Sequence, residues 1–187
     1  MKDWALILGA SSGFGAATAK KLAAEGINIF GVHLDRRSAH NEIQNLINEL
    51  KKNNVNVVFQ NMNATDDEKI NEVINKLLSF KNIRIKIFLH SLAFGTLKPM
   101  IPMKNDATIL NQSNLEMTTN VMAHSLVKWT QILIKNKLLK TGSQIFAMTS
   151  AGGRKQWTSY GAVSAAKASL ESYCRQLALE LSSVNIA

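Results

Sequence analysis

The sequence predicts an α/β protein built on a doubly wound parallel sheet, and three observations carry that prediction. Short apolar runs recur along the chain, each followed by a stretch whose apolar residues fall at helical spacing. The runs are continuous rather than alternating, as in strands covered on both faces. Between the first run and the first helix lies Gly9-Ala10-Ser11-Ser12-Gly13-Phe14-Gly15, where the chain must turn sharply and can bring bare backbone against a ligand.

The elements follow in order. Residues 4–8 read as the first strand and residues 16–24 as a small-residue helix that stops at Gly26. Residues 28–34 form the second strand, Ser38 is a candidate cap, and Ile43, Leu46, Ile47 and Leu50 mark the inner stripe of a second helix. A third strand is expected at 55–59, with a third helix from near Asp66 carrying Ile70, Val73, Ile74, Leu77 and Leu78 inward. Residues 85–89 are the fourth strand. Pro99 and Pro102 mark an irregular loop, followed by a long helix over about 115–135, a fifth strand at 144–148 and a second long helix over about 159–181. Helices between successive strands force parallel crossovers. The chain reaches Val184-Asn185-Ile186-Ala187 where a sixth strand is expected to begin. The expected organisation is one domain over residues 1–187, cut short at that strand, with the C-terminal part missing.

Composition narrows the function classes. The 187 residues hold 46% hydrophobic and 19% charged side chains, enough for a core and too little charge for a disordered chain. No apolar run approaches the roughly 20 residues that span a bilayer, so neither a membrane nor secretion is expected. The lone cysteine, Cys174, shares a helix face with Leu170, Leu177 and Leu181 and can form no internal disulfide, which fits a reducing cytoplasm. Lys+Arg 22 against Asp+Glu 13 gives a net charge of +9. The basic residues cluster only as doublets such as Arg36-Arg37 and Arg154-Lys155, so no nucleic-acid partner is expected; an anionic cofactor or an acidic carrier suits the charge. His90 has no acidic or histidine partner at ligand spacing, so no metal is expected.

The candidate site begins at the glycine loop. The helix after it points free amides and the positive end of its dipole outward, which suits a pyrophosphate held by Gly9, Ser11, Ser12, Gly13, Phe14 and Gly15. The end of the second strand, His33-Leu34-Asp35-Arg36-Arg37, bears on the nicotinamide cofactor. A carboxylate such as Asp35 accepts from a ribose 2′-hydroxyl and permits NADH, whereas Arg36 and Arg37 would neutralise the 2′-phosphate of NADPH. Ser150 follows the fifth strand, and Tyr160 and Lys167 lie seven residues apart. Nearly two helical turns put both on one face, about 10.5 Å apart along the axis. An ammonium that favours the phenolate makes a tyrosine a useful proton donor, and Lys167 can also hold a cofactor ribose. Phe94, Met100 and Met103 surround the proline loop as candidate walls of an acyl pocket.

The Gly-X3-Gly-X-Gly spacing resembles that of the short-chain dehydrogenase/reductase family, and the resemblance runs from Met1 to the end of the chain. It implies a Rossmann-like fold. It also implies that Asn63 and Ala64 border the adenine, with Asn63 in place of the usual Asp and its amide oxygen offered to the adenine amino group. In that alignment an NADH-type acid would fall near His33, so NADPH is the expected cofactor and NADH the alternative. Common members carry a tyrosine four residues before the lysine, where this chain has Val163. Tyr-X6-Lys is similar to the enoyl-acyl-carrier-protein reductase branch, as are His90-Ser91-Leu92-Ala93-Phe94 and Ala166-Lys167-Ala168-Ser169-Leu170-Glu171.

The spacing has a chemical reading. In carbonyl reduction, hydride enters the carbon bonded to the oxygen that tyrosine protonates; in enoyl thioester reduction it enters the β carbon, two bonds further away. A tyrosine further from the lysine suits the second geometry. Ser150, seventeen residues before Lys167, stands where that branch often has a second tyrosine and matches the serine of carbonyl reductases. This combination resembles the enoyl reductases that use NADPH. The resemblance further implies cofactor contacts at His90, Ser91, Leu92 and Ala93, substrate contacts at Phe94, Gly95, Met100 and Tyr160, and a proton relay through Asn120. The implied function is reduction of an enoyl thioester, carried by acyl carrier protein or CoA, in fatty-acid synthesis by a homodimer or homotetramer. A 3-oxoacyl thioester carbonyl reductase and a catalytically silent dinucleotide-binding protein are the alternatives.

Overall fold

The computed structural model describes residues 2–102 and 108–187; Met103 therefore lies outside the described residues. Five strands, β1 (Lys2–Leu8), β2 (Asn28–His33), β3 (Val57–Asn61), β4 (Ile83–His90) and β5 (Gln144–Ala147), form one sheet in the order β3-β2-β1-β4-β5. Every neighbouring pair is parallel, with Leu6 opposite Phe30 on one side and Phe88 on the other. The helices are α1 (Gly13–Ala24), α2 (His40–Lys51), α3 (Asp67–Leu78), α4 (Gln112–Thr119), α5 (Ser125–Lys135) and α6 (Gly161–Leu181). This is the doubly wound fold that the alternation predicts.

The pleat of β1 divides the core. Trp4, Leu6 and Leu8 face Ile70, Val73 and Leu77 of α3, Trp129 and Leu133 of α5 and Leu170 of α6. Ala5 and Ile7 face Ala19 and Ala23 of α1 and Leu46 and Leu50 of α2. Alanines on α1 bring that helix close to the sheet, which places its N-terminus against the strand ends where the glycine loop emerges.

Several boundaries depart from the sequence reading. The third strand lies at Val57–Asn61, two residues later than expected. Ser38 caps nothing: Arg37–Ala39 forms a 3-10 turn ahead of α2, and no side chain caps either element. Asp66 does cap α3, accepting the Lys69 N–H at 3.1 Å. The long helix expected over 115–135 is interrupted by a π turn, Asn120–His124, between α4 and α5. Beyond α6, the Ile145 N–H donates to Ala187 O at 2.6 Å and the Ala187 N–H donates to Ser143 O at 3.1 Å, so the last residue lies along the outer edge of β5. Among the described residues no helix is long and apolar enough to cross a membrane.

Candidate active site

The glycine loop is closed by backbone, not by side chains. Gly9 and Ala10 both donate to Val32 O, at 2.8 and 3.1 Å, which ties the loop to the end of β2. Gly9 has φ +82°, and a Cβ there would lie 2.5 Å from Ser91 O. A Cβ on Gly15 would collide with the Gly9 carbonyl oxygen. The loop is thus a cradle of bare backbone that any side chain would fill. Ser12 occupies the N-cap of α1 in extended conformation without capping it, so its side chain leaves the first-turn amides uncovered. Phe14 stands exposed at 71% of its surface. These features fit a dinucleotide pyrophosphate.

At the end of β2 the tertiary structure gives Asp35 two neighbours. Asp35 Oδ2 pairs with His33 Nδ1 at 2.9 Å, and the Asp35 backbone exchanges two hydrogen bonds with the Asn61 side chain. One oxygen of its carboxylate is thus engaged by a neighbour, and the other keeps its acceptor sites. Arg36 and Arg37 are exposed and line a cavity of about 690 Å³ with His33, His40, Phe59 and Asn61. The expectation for the Asn63 amide oxygen is corrected. Its Oδ1 accepts from the Thr65 N–H at 3.0 Å and Thr65 Oγ1 at 2.9 Å, so the amide oxygen assigned to adenine is already occupied. The Ala64 side chain is buried, and its carbonyl accepts from Trp129 Nε1 at 2.8 Å.

The segment after β4 runs along the same edge. Ser91 donates its N–H to Leu8 O at 2.9 Å and lies against Gly9, while Ala93 and Phe94 are exposed. His90, expected beside a cofactor, is fully enclosed with its ring turned to Ser125, so its side chain makes no cofactor contact.

Ser150 and Tyr160 come together in the structure. Their hydroxyl oxygens lie 3.2 Å apart, and Ser150 Oγ accepts the Gly152 N–H at 3.1 Å. Gly152 has to be glycine, because a Cβ there would enter the Tyr160 ring. Tyr160 is the residue just before α6, not within it, and Ser159 ahead of it has φ +61°. That left-handed backbone costs a non-glycine residue about 1–2 kcal/mol and aims the tyrosine. The Trp157 ring meets Tyr160 edge-on at 5.1 Å. Sequence reasoning missed Trp157, Gly152 and Ser159; no periodicity marks a turn of this kind.

Lys167 is buried and reaches two carbonyls, Met148 O at 2.6 Å and Leu92 O at 3.3 Å. Its ammonium therefore sits between the ends of β4 and β5, bonded to backbone rather than to the phenol. Burial pushes its pKa down from 10.5 to about 8. Below pH 8 the folded and unfolded chains both hold this proton. Between 8 and 10.5 only the unfolded chain holds it, so stability contributed at this site rises with pH across that window. Denaturation midpoints read at several pH values should show this rise, and Lys167→Met should flatten it.

Asn120 opens the π turn with its side chain exposed and, among the described residues, without a hydrogen-bond partner. It is not drawn into the Ser150–Tyr160 pair. Gly95 packs against Thr118, Met122 and Val163, and Met100 covers Gly161. Met100 and Tyr160 line a cavity of about 400 Å³ with Lys98, Trp157, Gly161 and Ser164, whereas Phe94 does not.

A family profile described as Enoyl-(Acyl carrier protein) reductase matches residues 9–187. The chain belongs to this group of the short-chain dehydrogenase/reductase family. It is thereby an NAD(P)-dependent oxidoreductase of that family. Solved members of the family share its fold. A short chain dehydrogenase from Burkholderia cenocepacia, solved in complex with NADP, superposes with a TM-score of 0.81 at 20% identity, over 99% of this chain and 71% of that one. Acetoin dehydrogenase from Enterobacter cloacae gives 0.80 at 18%, over 100% and 70%. An alcohol dehydrogenase from the archaeon Thermococcus sibiricus, complexed with 5-hydroxy-NADP, gives 0.79 at 18%, over 100% and 74%.

Proposed function

We propose that this short-chain reductase uses NADPH to reduce the carbon–carbon double bond of an enoyl thioester. The observation that carries the reading is the placement of the phenol. Tyr160 precedes Lys167 by seven residues, and the position four before the lysine holds Val163, buried in a cluster with Met122 and Ala166. Tyr160 lines a cavity of about 400 Å³, within the size range of small-molecule sites.

The residues divide the work. Gly9, Gly13, Gly15 and the amides of α1 would hold the pyrophosphate, Arg36 and Arg37 the 2′-phosphate, and Lys167 the ribose hydroxyls. When bound, the reduced nicotinamide supplies the hydride. Ser150 takes the Gly152 N–H and can give its own proton to the phenol oxygen, which leaves the Tyr160 O–H free to donate to the thioester oxygen. Negative charge that develops on that oxygen is met by a positioned donor.

One observation favours carbonyl reduction instead: the Ser150–Tyr160 pair is the hydroxyl pairing of the carbonyl reductases that the sequence resembles. Rates on crotonyl and acetoacetyl thioesters, each with NADPH and NADH, separate the two. Turnover of the keto substrate alone would overturn the enoyl reading, and binding of NADPH with turnover of neither would make the protein a silent dinucleotide binder.

For the cofactor, replacing Arg36 and Arg37 with Ala should weaken NADPH far more than NADH, because only NADPH carries the phosphate they face. Titrations with both cofactors would show equal losses if the arginines lie elsewhere. The net charge of +9 suits an acidic acyl carrier as the substrate's vehicle, with Lys98 at the cavity. A dimer or tetramer in the cytoplasm completes the reading. Light scattering should give at least twice the chain mass of 20.6 kDa.

A further inference from the structure

The end of β4 carries a histidine that this chemistry does not use. The His90 side chain is wholly enclosed, a costly place for an imidazole unless its nitrogens are bonded. Nε2 lies 2.7 Å from Ser125 Oγ, and that same Oγ lies 2.7 Å from the Val121 carbonyl oxygen. A carbonyl only accepts, so the serine proton goes to Val121 and the serine oxygen accepts from the imidazole. His90 is therefore the Nε2–H tautomer, with Nδ1 a buried lone pair that finds no hydrogen-bond donor among the described residues. Burial, and then the charge on Lys167, holds its pKa down at about 3, which keeps the ring neutral.

Both ends of this bond lead to the site. Val121 lies within the π turn Asn120–His124 and Ser125 directly follows it. Such turns are rare within helices and tend to occur at functional sites. On the other side, the His90 carbonyl accepts the Met148 N–H at 2.9 Å, and the Met148 carbonyl accepts the Lys167 ammonium at 2.6 Å. Leu92, two residues on from His90, supplies the second carbonyl. One residue thus connects the turn that begins at Asn120 to the seat of Lys167.

We propose that His90 is a positioning residue, whose Nε2–H bond to Ser125 holds the π turn bearing Asn120 in register with the carbonyls that seat Lys167. The proposal rests on the reading that Lys167 holds the cofactor ribose and on the relay through Asn120 that the family resemblance implies. The imidazole itself touches no substrate, and its effect runs through those two groups.

Isosteres separate this role from packing. Gln places an amide nitrogen near Nε2 and can still donate to Ser125, whereas Asn places its amide near Nδ1 and falls short. His90→Asn and Ser125→Ala should each lower kcat by roughly 10–100-fold, the scale of a small misplacement of working groups. His90→Gln should recover most of kcat, and adding Ser125→Ala to it should return the value to that of Ser125→Ala alone. Without any turnover, a ¹H–¹⁵N spectrum of the wild-type protein should show His90 as Nε2–H across neutral pH. An Nδ1–H or charged ring would overturn the proposal. So would His90→Asn and Ser125→Ala variants that melt at lower temperature yet match wild-type kcat. The kinetics are run on whichever thioester the wild type reduces, so failure of the enoyl reading appears in wild-type substrate choice and failure of this proposal in the variants.

Discussion

Tyr160→Phe should leave the fold and NADPH binding intact and lower enoyl reduction by roughly 10²–10⁴-fold, the usual contribution of a positioned proton donor. The substitution removes one oxygen and almost no volume. The ring contact with Trp157 and the close fit over Gly152 survive it, because both involve the ring rather than the hydroxyl. What is lost is the partner of Ser150 Oγ at 3.2 Å and, with it, the donor to the substrate oxygen. The effect should fall on kcat, with the NADPH dissociation constant unmoved, because the cradle, the arginines and Lys167 are untouched. Steady-state rates together with a cofactor titration test both halves. Undiminished turnover in the Phe variant would take Tyr160 out of the mechanism and make Ser150 the donor.

Gly15→Ala should abolish dinucleotide binding and destabilise the chain by about 1–3 kcal/mol or more, the range for a methyl group forced into a filled space. The obstacle is the carbonyl of Gly9, a backbone atom that has no rotamer to retreat into. Relief would require moving Gly9, and Gly9 is tied to Val32 and pressed against Ser91. The strain would therefore spread to the ends of β2 and β4, where Arg36 and Lys167 are set. Thermal melting with and without NADPH reads both consequences. Gly13→Ala is the control: it has open space around it and a φ of +53°, so it should strain the backbone without a collision and cost less. Binding retained in Gly15→Ala would place the pyrophosphate elsewhere.

Much of this protein was determined by the sequence alone. Continuous apolar runs and helical stripes report burial over a few residues, and burial on both faces of short strands admits little besides a doubly wound sheet. The glycine spacing, the Tyr160–Lys167 interval and the serine after β5 are equally local, since each depends on one turn or one helix. Other features depended on the folded geometry, some on neighbours two residues away and some on partners far along the chain. One Asp35 carboxylate oxygen is engaged by His33, and the Asn63 oxygen is taken up by Thr65, so the latter is not open as its residue type suggested. Lys167 is seated by Leu92, seventy-five residues away, and His90 faces Ser125, thirty-five away. The π turn at Asn120 and the left-handed Ser159 leave no periodic trace, because each is held by surrounding packing against the local preference of its own residues. A residue's type states which hydrogen bonds it can make, and tertiary packing decides which neighbour takes them before any ligand arrives.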